Sequence, residues 1–204
     1  MRDEVLAVAR ELLALGLTTG TAGNVSARAG DEVTITAAGA ADDVVVLALD
    51  GTVLRGDRAP SSERALHLAA YRAYPELGGV VHAHPVHATA FACARRAIPA
   101  AVDEFALYVG GDVPCAEYAP SGTEALARNA CGHLAERGAV LLASHGLVAV
   151  GRSPADALHV ATVVERGAES IRAAAALGGA VPLPDDANAA LAAAYRRGRS
   201  LPTT

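Results

Sequence analysis

Two histidines in the run Val80-Val81-His82-Ala83-His84-Pro85 carry the strongest chemical signal in this 204-residue chain. Alternate side chains of a strand share a face, so His82 and His84 point the same way, with Ala83 turned to the other side. Pro85 cannot donate to a sheet ladder, so the strand ends there and the two imidazoles stand at its mouth. A third histidine has a matching setting. The apolar run 139–143 leads into Ser144-His145-Gly146, again an imidazole at the end of a buried strand, beside a glycine that permits close backbone approach. Three neutral imidazoles with one carboxylate would suit Zn²⁺, which takes nitrogen and oxygen ligands and, in catalytic sites, leaves a position for substrate. Glu63, in Pro60-Ser61-Ser62-Glu63, is the carboxylate candidate. Singly, each histidine could merely cap or pack. Two on one strand face and a third at another strand end bring the metal reading level with that plainer one.

A second kind of chemistry sits upstream. The stretch Thr18-Thr19-Gly20-Thr21-Ala22-Gly23-Asn24-Val25-Ser26 is too rich in Gly and Thr for a helix. It offers backbone N–H groups, hydroxyls and an amide to an anion, although on composition alone an ordinary connecting loop is the preferred reading. Ser61 and Ser62 stand where a helix begins, a position that suits both a serine cap and an anion, so the two readings are compatible. Glu63 falls in that helix's first turn, where the dipole favours an acid. His67, one turn on, shares its face and could support it, or could simply pack.

The elements that must position these groups follow from periodicity. Val5, Val8, Ala9, Leu12, Leu13 and Leu15 recur at helical spacing, and Gly16 stops them. Residues 33–36 and 44–49 read as strands, and Asp50-Gly51 joins the latter to Thr52-Val53-Leu54 in a hairpin. Helices are predicted from Ser61 through Tyr71, from His87 to Arg95, from a cap at Ser121 or Thr123 to about Arg137, from Ser153 to about Leu177, and over about 186–197. Short strands are expected at 113–116, 139–143 and 147–150, while Asp103 to Val109 is ambiguous in period. No repeat or long linker interrupts this order, so a single domain over 1–204 is expected: an α/β, or α+β three-layer, fold with strands in the middle and helices around them.

Composition removes several function classes. The chain is 52% hydrophobic but only 3% aromatic, so its core must be built from Ala, Val and Leu. A net charge of −5, with cations and acids interspersed, gives no basic surface for nucleic acid. Three cysteines without C-x-x-C spacing imply neither a disulfide framework nor a thiolate metal site, which fits a cytoplasmic protein. No targeting segment is seen at the start, and no run reaches membrane-spanning length.

In combination, the motifs resemble the class II aldolase/adducin-head family, and within it most of all the L-fuculose-1-phosphate aldolases. Those carrying the resemblance are Gly20-Thr21-Ala22-Gly23-Asn24-Val25-Ser26, Ile35-Thr36, Pro60-Ser61-Ser62-Glu63, Val81-His82-Ala83-His84 with His87, Ile98-Pro99, and His145-Gly146-Leu147. The resemblance implies a central, mainly antiparallel sheet covered by helices, and a homotetramer with one Zn²⁺ per chain held between neighbouring subunits. It makes His82, His84 and His145 metal ligands, and Glu63 a fourth ligand that doubles as acid and base. Thr21, Gly23, Asn24, Gly39, Ser61 and Ser62 would line a phosphate pocket. The activity implied is reversible cleavage of a ketose 1-phosphate to dihydroxyacetone phosphate and a short aldehyde. No Schiff-base lysine is needed for it, and this chain contains no lysine at all.

Two departures stand out. Ala38 occupies the position where fuculose-phosphate aldolases tend to carry a threonine, and the stretch 103–108 differs in length from theirs. Tyr108 is therefore the candidate for the tyrosine that protonates the aldehyde oxygen. Other activities of the same fold are a ribulose-5-phosphate 4-epimerase and a sugar-acid-phosphate decarboxylase. The epimerases typically read Ser-Ser-Asp where this chain has Ser62-Glu63. Adducin heads, a non-catalytic interaction module, lack the metal histidines, which argues against that alternative.

Overall fold

The computed structural model describes residues 1–199. Eight strands form one sheet in the order β4-β3-β2-β1-β5-β8-β7-β6. They are β1 (Asn24–Ala29), β2 (Glu32–Thr36), β3 (Val44–Ala48), β4 (Val53–Arg55), β5 (Gly79–Ala83), β6 (Cys115–Ala116), β7 (Ala139–Leu142) and β8 (Gly146–Gly151). Every pairing is antiparallel except that of β6 with β7. The mainly antiparallel sheet flanked by helices is the expected architecture.

Alternation along the strands creates two apolar faces, and each takes its own helices. Val25, Ala27, Val81, Ala83, Leu141 and Leu147 pack in one core with α1 (Arg2–Ala14), α3 (Val86–Ala94) and α5 (Pro154–Ala174). Val33, Ile35, Val80, Val140 and Val148 pack in the other with α2 (Arg64–Ala73) and α4 (Glu124–Cys131). Val80 and Val81 thus belong to opposite layers, as a two-residue period demands. Few aromatics are available, so small residues bring the layers together, and Tyr71 and Phe105 are the largest fully buried side chains. A Cβ on Gly167 of α5 would sit 2.2 Å from the Phe105 ring, so glycine is what lets that ring reach the helix. The last helix, α6 (Asp185–Arg199), packs on the π-helical turn Phe105–Val109 that occupies the ambiguous stretch.

Several boundaries differ from those read in the sequence. Asn24, Val25 and Ser26 belong to strand β1 rather than to a loop, because their polar alternate positions are covered by α2 instead of solvent. Helix α2 begins at Arg64, which leaves Glu63 at the cap position and not in the first turn. Ser61 still accepts a bond from the Glu63 backbone N–H at 3.2 Å. Thr123, not Ser121, caps α4 by accepting from Leu126 N–H, and that helix gives way at Gly132 rather than continuing to Arg137.

Candidate metal and phosphate site

Strands β1, β5 and β8 are neighbours, and their pairing assembles the site. Asn24 lies directly opposite His82 on β5, so the two side chains share the face covered by α2. His82 is also paired with Val148 of β8, and His84 follows immediately beyond the strand, its backbone N–H bonded to Leu17 O at 3.1 Å. His145 comes from the β7–β8 turn. Ser144 before it adopts a left-handed conformation, φ 56°, uncommon for a residue with a Cβ, and this kink aims the imidazole back at β5. Gly146 completes the fit, since a Cβ there would meet Ala83 O at 2.5 Å and the His84 ring at 2.6 Å.

The three rings converge. Centroids of His82 and His84 are 4.8 Å apart, those of His82 and His145 4.7 Å, and those of His84 and His145 5.0 Å. One nitrogen from each ring falls within 4.8 Å of the other two. His82 Nδ1–H donates to Leu147 O at 3.0 Å, which fixes the tautomer and turns the Nε2 lone pair toward His84 Nε2, 3.0 Å away. All three pKa values are lowered, first by burial; neighbouring imidazoles push the same way at His82 and His84, and the Glu63 carboxylate opposes it at His84 and His145. The rings are thus held neutral, the form in which imidazole binds a metal.

Glu63 closes the group. It is only 4% exposed, its Oε1 accepts a hydrogen bond from Ser121 Oγ, and its Oε2 is buried with no partner among the described residues. His145 Nδ1 is orphaned in the same way. Such groups are costly to bury unless something satisfies them. A divalent cation would do so, and the nitrogen and oxygen donors suit one.

These four residues line a cavity of about 160 Å³. Thr21, Gly23 and Asn24, the turn at Gly39, and Ser61 with Ser62 line it with them. All the residues read from the sequence as metal or phosphate contacts therefore meet in one place. Tyr108, the candidate proton donor to the aldehyde oxygen, lies elsewhere, 39% exposed, its ring edge-on to His159 at 4.7 Å. Two larger cavities, of about 320 and 470 Å³, adjoin Tyr108 and His159, and none of the three clustered imidazoles lines either. Ala38 lines the small cavity, so the hydroxyl it lacks is missing from the wall itself.

Two contributors escaped the sequence reading of the site. Ser121, taken as a possible helix cap, instead holds the Glu63 carboxylate. His67 packs as a buried residue, yet its Nε2 is 2.6 Å from Asn24 Oδ1 and its Nδ1 is 2.7 Å from Ser26 Oγ, so it braces strand β1 at Asn24 rather than Glu63. A period-four pair in α2, His67 and Tyr71, facing the period-two pair Asn24 and Ser26, was the available signal.

A family model described as the Class II Aldolase and Adducin N-terminal domain matches residues 3–171. The 5-methylthioribulose-1-phosphate/5-deoxyribulose-1-phosphate aldolase of Rhodospirillum rubrum is 41% identical over 175 residues, covering 83% of this chain and 79% of that protein. An L-ribulose-5-phosphate 4-epimerase of Salmonella paratyphi C is 38% identical over 189 residues, covering 83% and 82%. Among solved structures, an L-fuculose 1-phosphate aldolase superposes with a TM-score of 0.90 at 35% identity, covering 95% of each chain.

Proposed function

The chain belongs to the class II aldolase and adducin N-terminal domain family, and from that premise we propose that it is a metal-dependent aldolase. Its reaction is the reversible cleavage of a ketose 1-phosphate to dihydroxyacetone phosphate and a short aldehyde. The observation that carries this reading is that one small cavity gathers three imidazoles and a carboxylate together with a set of hydroxyls, glycines and an amide. Metal-dependent retro-aldol chemistry on a phosphorylated ketose needs those two halves side by side. The substrate class is a 5-deoxyribulose 1-phosphate or L-fuculose 1-phosphate, in keeping with the names of the relatives above.

His82, His84, His145 and Glu63 would hold the cation, which we assign as one Zn²⁺ per chain and which would lend Lewis acidity to the substrate ketone. Glu63 then serves as the proton shuttle. Its carboxylate accepts the C4 hydroxyl proton as the C3–C4 bond breaks and returns it to C3, so the cycle closes with no net proton consumed. Ser121 keeps Oε1 occupied, which leaves Oε2 to hold the cation in the resting protein and to take the proton once arriving substrate displaces it. Asn24, Ser61, Ser62, Thr21 and the backbone at Gly23 and Gly39 anchor the phosphate, the hydroxyls as donors and the glycines through close N–H approach. Tyr108 is exposed on the surface of its own chain, so we place it in the site of a neighbouring copy, where its hydroxyl steadies the aldehyde oxygen with a hydrogen bond and keeps its own proton. That assignment goes with a cytoplasmic homotetramer of single-domain subunits with active sites between them.

The experiment is to incubate the protein with L-fuculose, L-ribulose and 5-deoxyribulose 1-phosphates and to couple release of dihydroxyacetone phosphate to an NADH-dependent reductase. Release from a 5-deoxyribulose or fuculose phosphate supports the aldolase reading. Interconversion of the 5-phosphates of ribulose and xylulose without cleavage would instead support the epimerase reading, which the Salmonella relative keeps in view.

A further inference from the structure

Helix α2 crosses β1 inside the protein, and the periods of the two elements coincide. His67 and Tyr71, one helical turn apart, meet Asn24 and Ser26, two residues apart on one strand face. Ser26, His67 and Tyr71 are wholly buried and Asn24 nearly so. The contacts form one chain: Tyr71 Oη to Ser26 Oγ at 2.8 Å, Ser26 Oγ to His67 Nδ1 at 2.7 Å, and His67 Nε2 to Asn24 Oδ1 at 2.6 Å.

The direction of this chain is dictated at one end. Asn24 Oδ1 can only accept, so His67 Nε2 must carry the hydrogen. Burial lowers the His67 pKa to about 3, so the ring is neutral and its Nδ1 is left as an acceptor. Ser26 therefore donates to Nδ1, and its oxygen accepts from Tyr71. Every member is satisfied in this sense. With Oδ1 turned inward, the amino end of the Asn24 carboxamide is what remains for the cavity that Asn24 lines. A phosphate needs donors there, and a reversed amide would present it with a carbonyl oxygen.

We propose that His67 is a positioning residue that locks the Asn24 carboxamide with its NH₂ toward the substrate phosphate, through a hydrogen-bond chain rooted at Ser26 and Tyr71 in the helix–sheet interior. This rests on the reading of the cavity given under Proposed function. The lock selects for a phosphoryl group and against any ligand that would offer a donor at that spot.

The direct test is nitrogen NMR of the histidine-labelled wild-type protein without sugar. His67 should show the neutral tautomer protonated at Nε2 across the range where ordinary histidines titrate. A ring protonated at Nδ1, or a ring that titrates near the ordinary value, overturns the proposal whatever the variants do. Steady-state kinetics on the ketose 1-phosphate supply the second arm. His67→Phe removes the donor and should raise KM about tenfold or more while kcat changes by less than about threefold, as for loss of one bond to a charged group. His67→Gln, whose amide can donate in place of Nε2, should recover most of the affinity. Asn24→Asp separates the two layers of inference. If Asn24→Asp leaves KM unchanged, the phosphate reading of this wall fails and the lock with it. If Asn24→Asp weakens binding and a folded His67→Phe does not, the wall stands and the lock fails. Should His67→Phe not fold, the tautomer in the wild type decides.

Discussion

Acid should destabilise this protein through His67 well before its carboxylates are protonated. In the unfolded chain His67 takes up a proton near 6.5, whereas in the folded protein burial delays this to about 3. The unfolded state thus binds more protons through that interval, and stability falls as the pH drops from 6.5 toward 3. At pH 5 the unfolded form has gained most of its proton and the folded form almost none, a difference of about 2 kcal/mol; the limit below pH 3 is about 4–5 kcal/mol. Against marginal domain stabilities of ~5–15 kcal/mol this is a large share. Apart from the three site histidines, the groups with a resolved shift titrate outside the window from pH 8 to 5. Burial pushes the Tyr71 hydroxyl well above its ordinary value and the Cys131 thiol to about 11, while Glu32, Asp43 and Asp50 are held below their ordinary values by hydrogen bonds to an arginine or to backbone N–H groups. His82, His84 and His145 act in the same direction as His67, so the measurement must be a difference. Urea unfolding of metal-stripped wild type and of His67→Gln, at pH 8 and pH 5 and equal protein concentration, isolates the one residue. The variant should be less stable at pH 8 but lose about 2 kcal/mol less on acidification. Equal losses in the two proteins would refute the reasoning.

The remaining predictions concern the site. His82→Ala should lose bound metal and cleavage together, measured by elemental analysis and the coupled assay; full metal content with full turnover defeats the ligand assignment. Glu63→Gln should keep most of the metal, since three imidazoles remain, while cleavage falls about 10²–10⁴-fold and exchange of the C3 proton of dihydroxyacetone phosphate falls in parallel. Normal exchange with failed cleavage would show that Glu63 does not serve C3. Ser121→Ala should lower kcat several-fold with metal and phosphate affinity intact, because only the hold on Oε1 is lost. Ser62→Ala should weaken phosphorylated ketoses far more than their unphosphorylated parents, and equal losses on both would mean that the serines serve only the helix end.

Local periodicity made some of this legible and was silent on the rest. His82 and His84 could be paired from sequence because a strand's period of two is rigid, and His145 because an apolar run ended just before it. The strand at Asn24–Ala29 was hidden by its own chemistry. Its alternation places Asn24 and Ser26 on one face and Val25 and Ala27 on the other, but glycine and threonine precede it, and a polar face on a central strand looks like solvent-facing loop. Only the arrival of α2 shows that face to be buried and satisfied. Ser121 was misread for a related reason. A hydroxyl just before a helix signals a cap, and it took the fold to show that Thr123 does the capping, which leaves Ser121 free to reach Glu63, 58 residues away. Both failures fall where polar side chains are turned toward a site instead of serving their own element, which is where local rules are expected to break.

Helix α2 explains why those exceptions are worth their desolvation. Its first residues follow the turn that presents Ser61, Ser62 and Glu63 to the cavity, and the same helix, one turn further on, holds Asn24 through His67. Glu63 and Asn24 both line the cavity. In the proposed reading, one rigid element therefore fixes the spacing between the proton shuttle and the phosphate anchor, and Tyr71, buried and bonded to Ser26, fixes the helix itself against the sheet. A ketose phosphate has its phosphate and its scissile bond a set number of bonds apart, so an anchor that drifts from that distance binds the substrate less tightly. A loop-borne anchor could drift relative to Glu63. An anchor bolted to the helix that Glu63 begins cannot, and the buried polar quartet is the bolt.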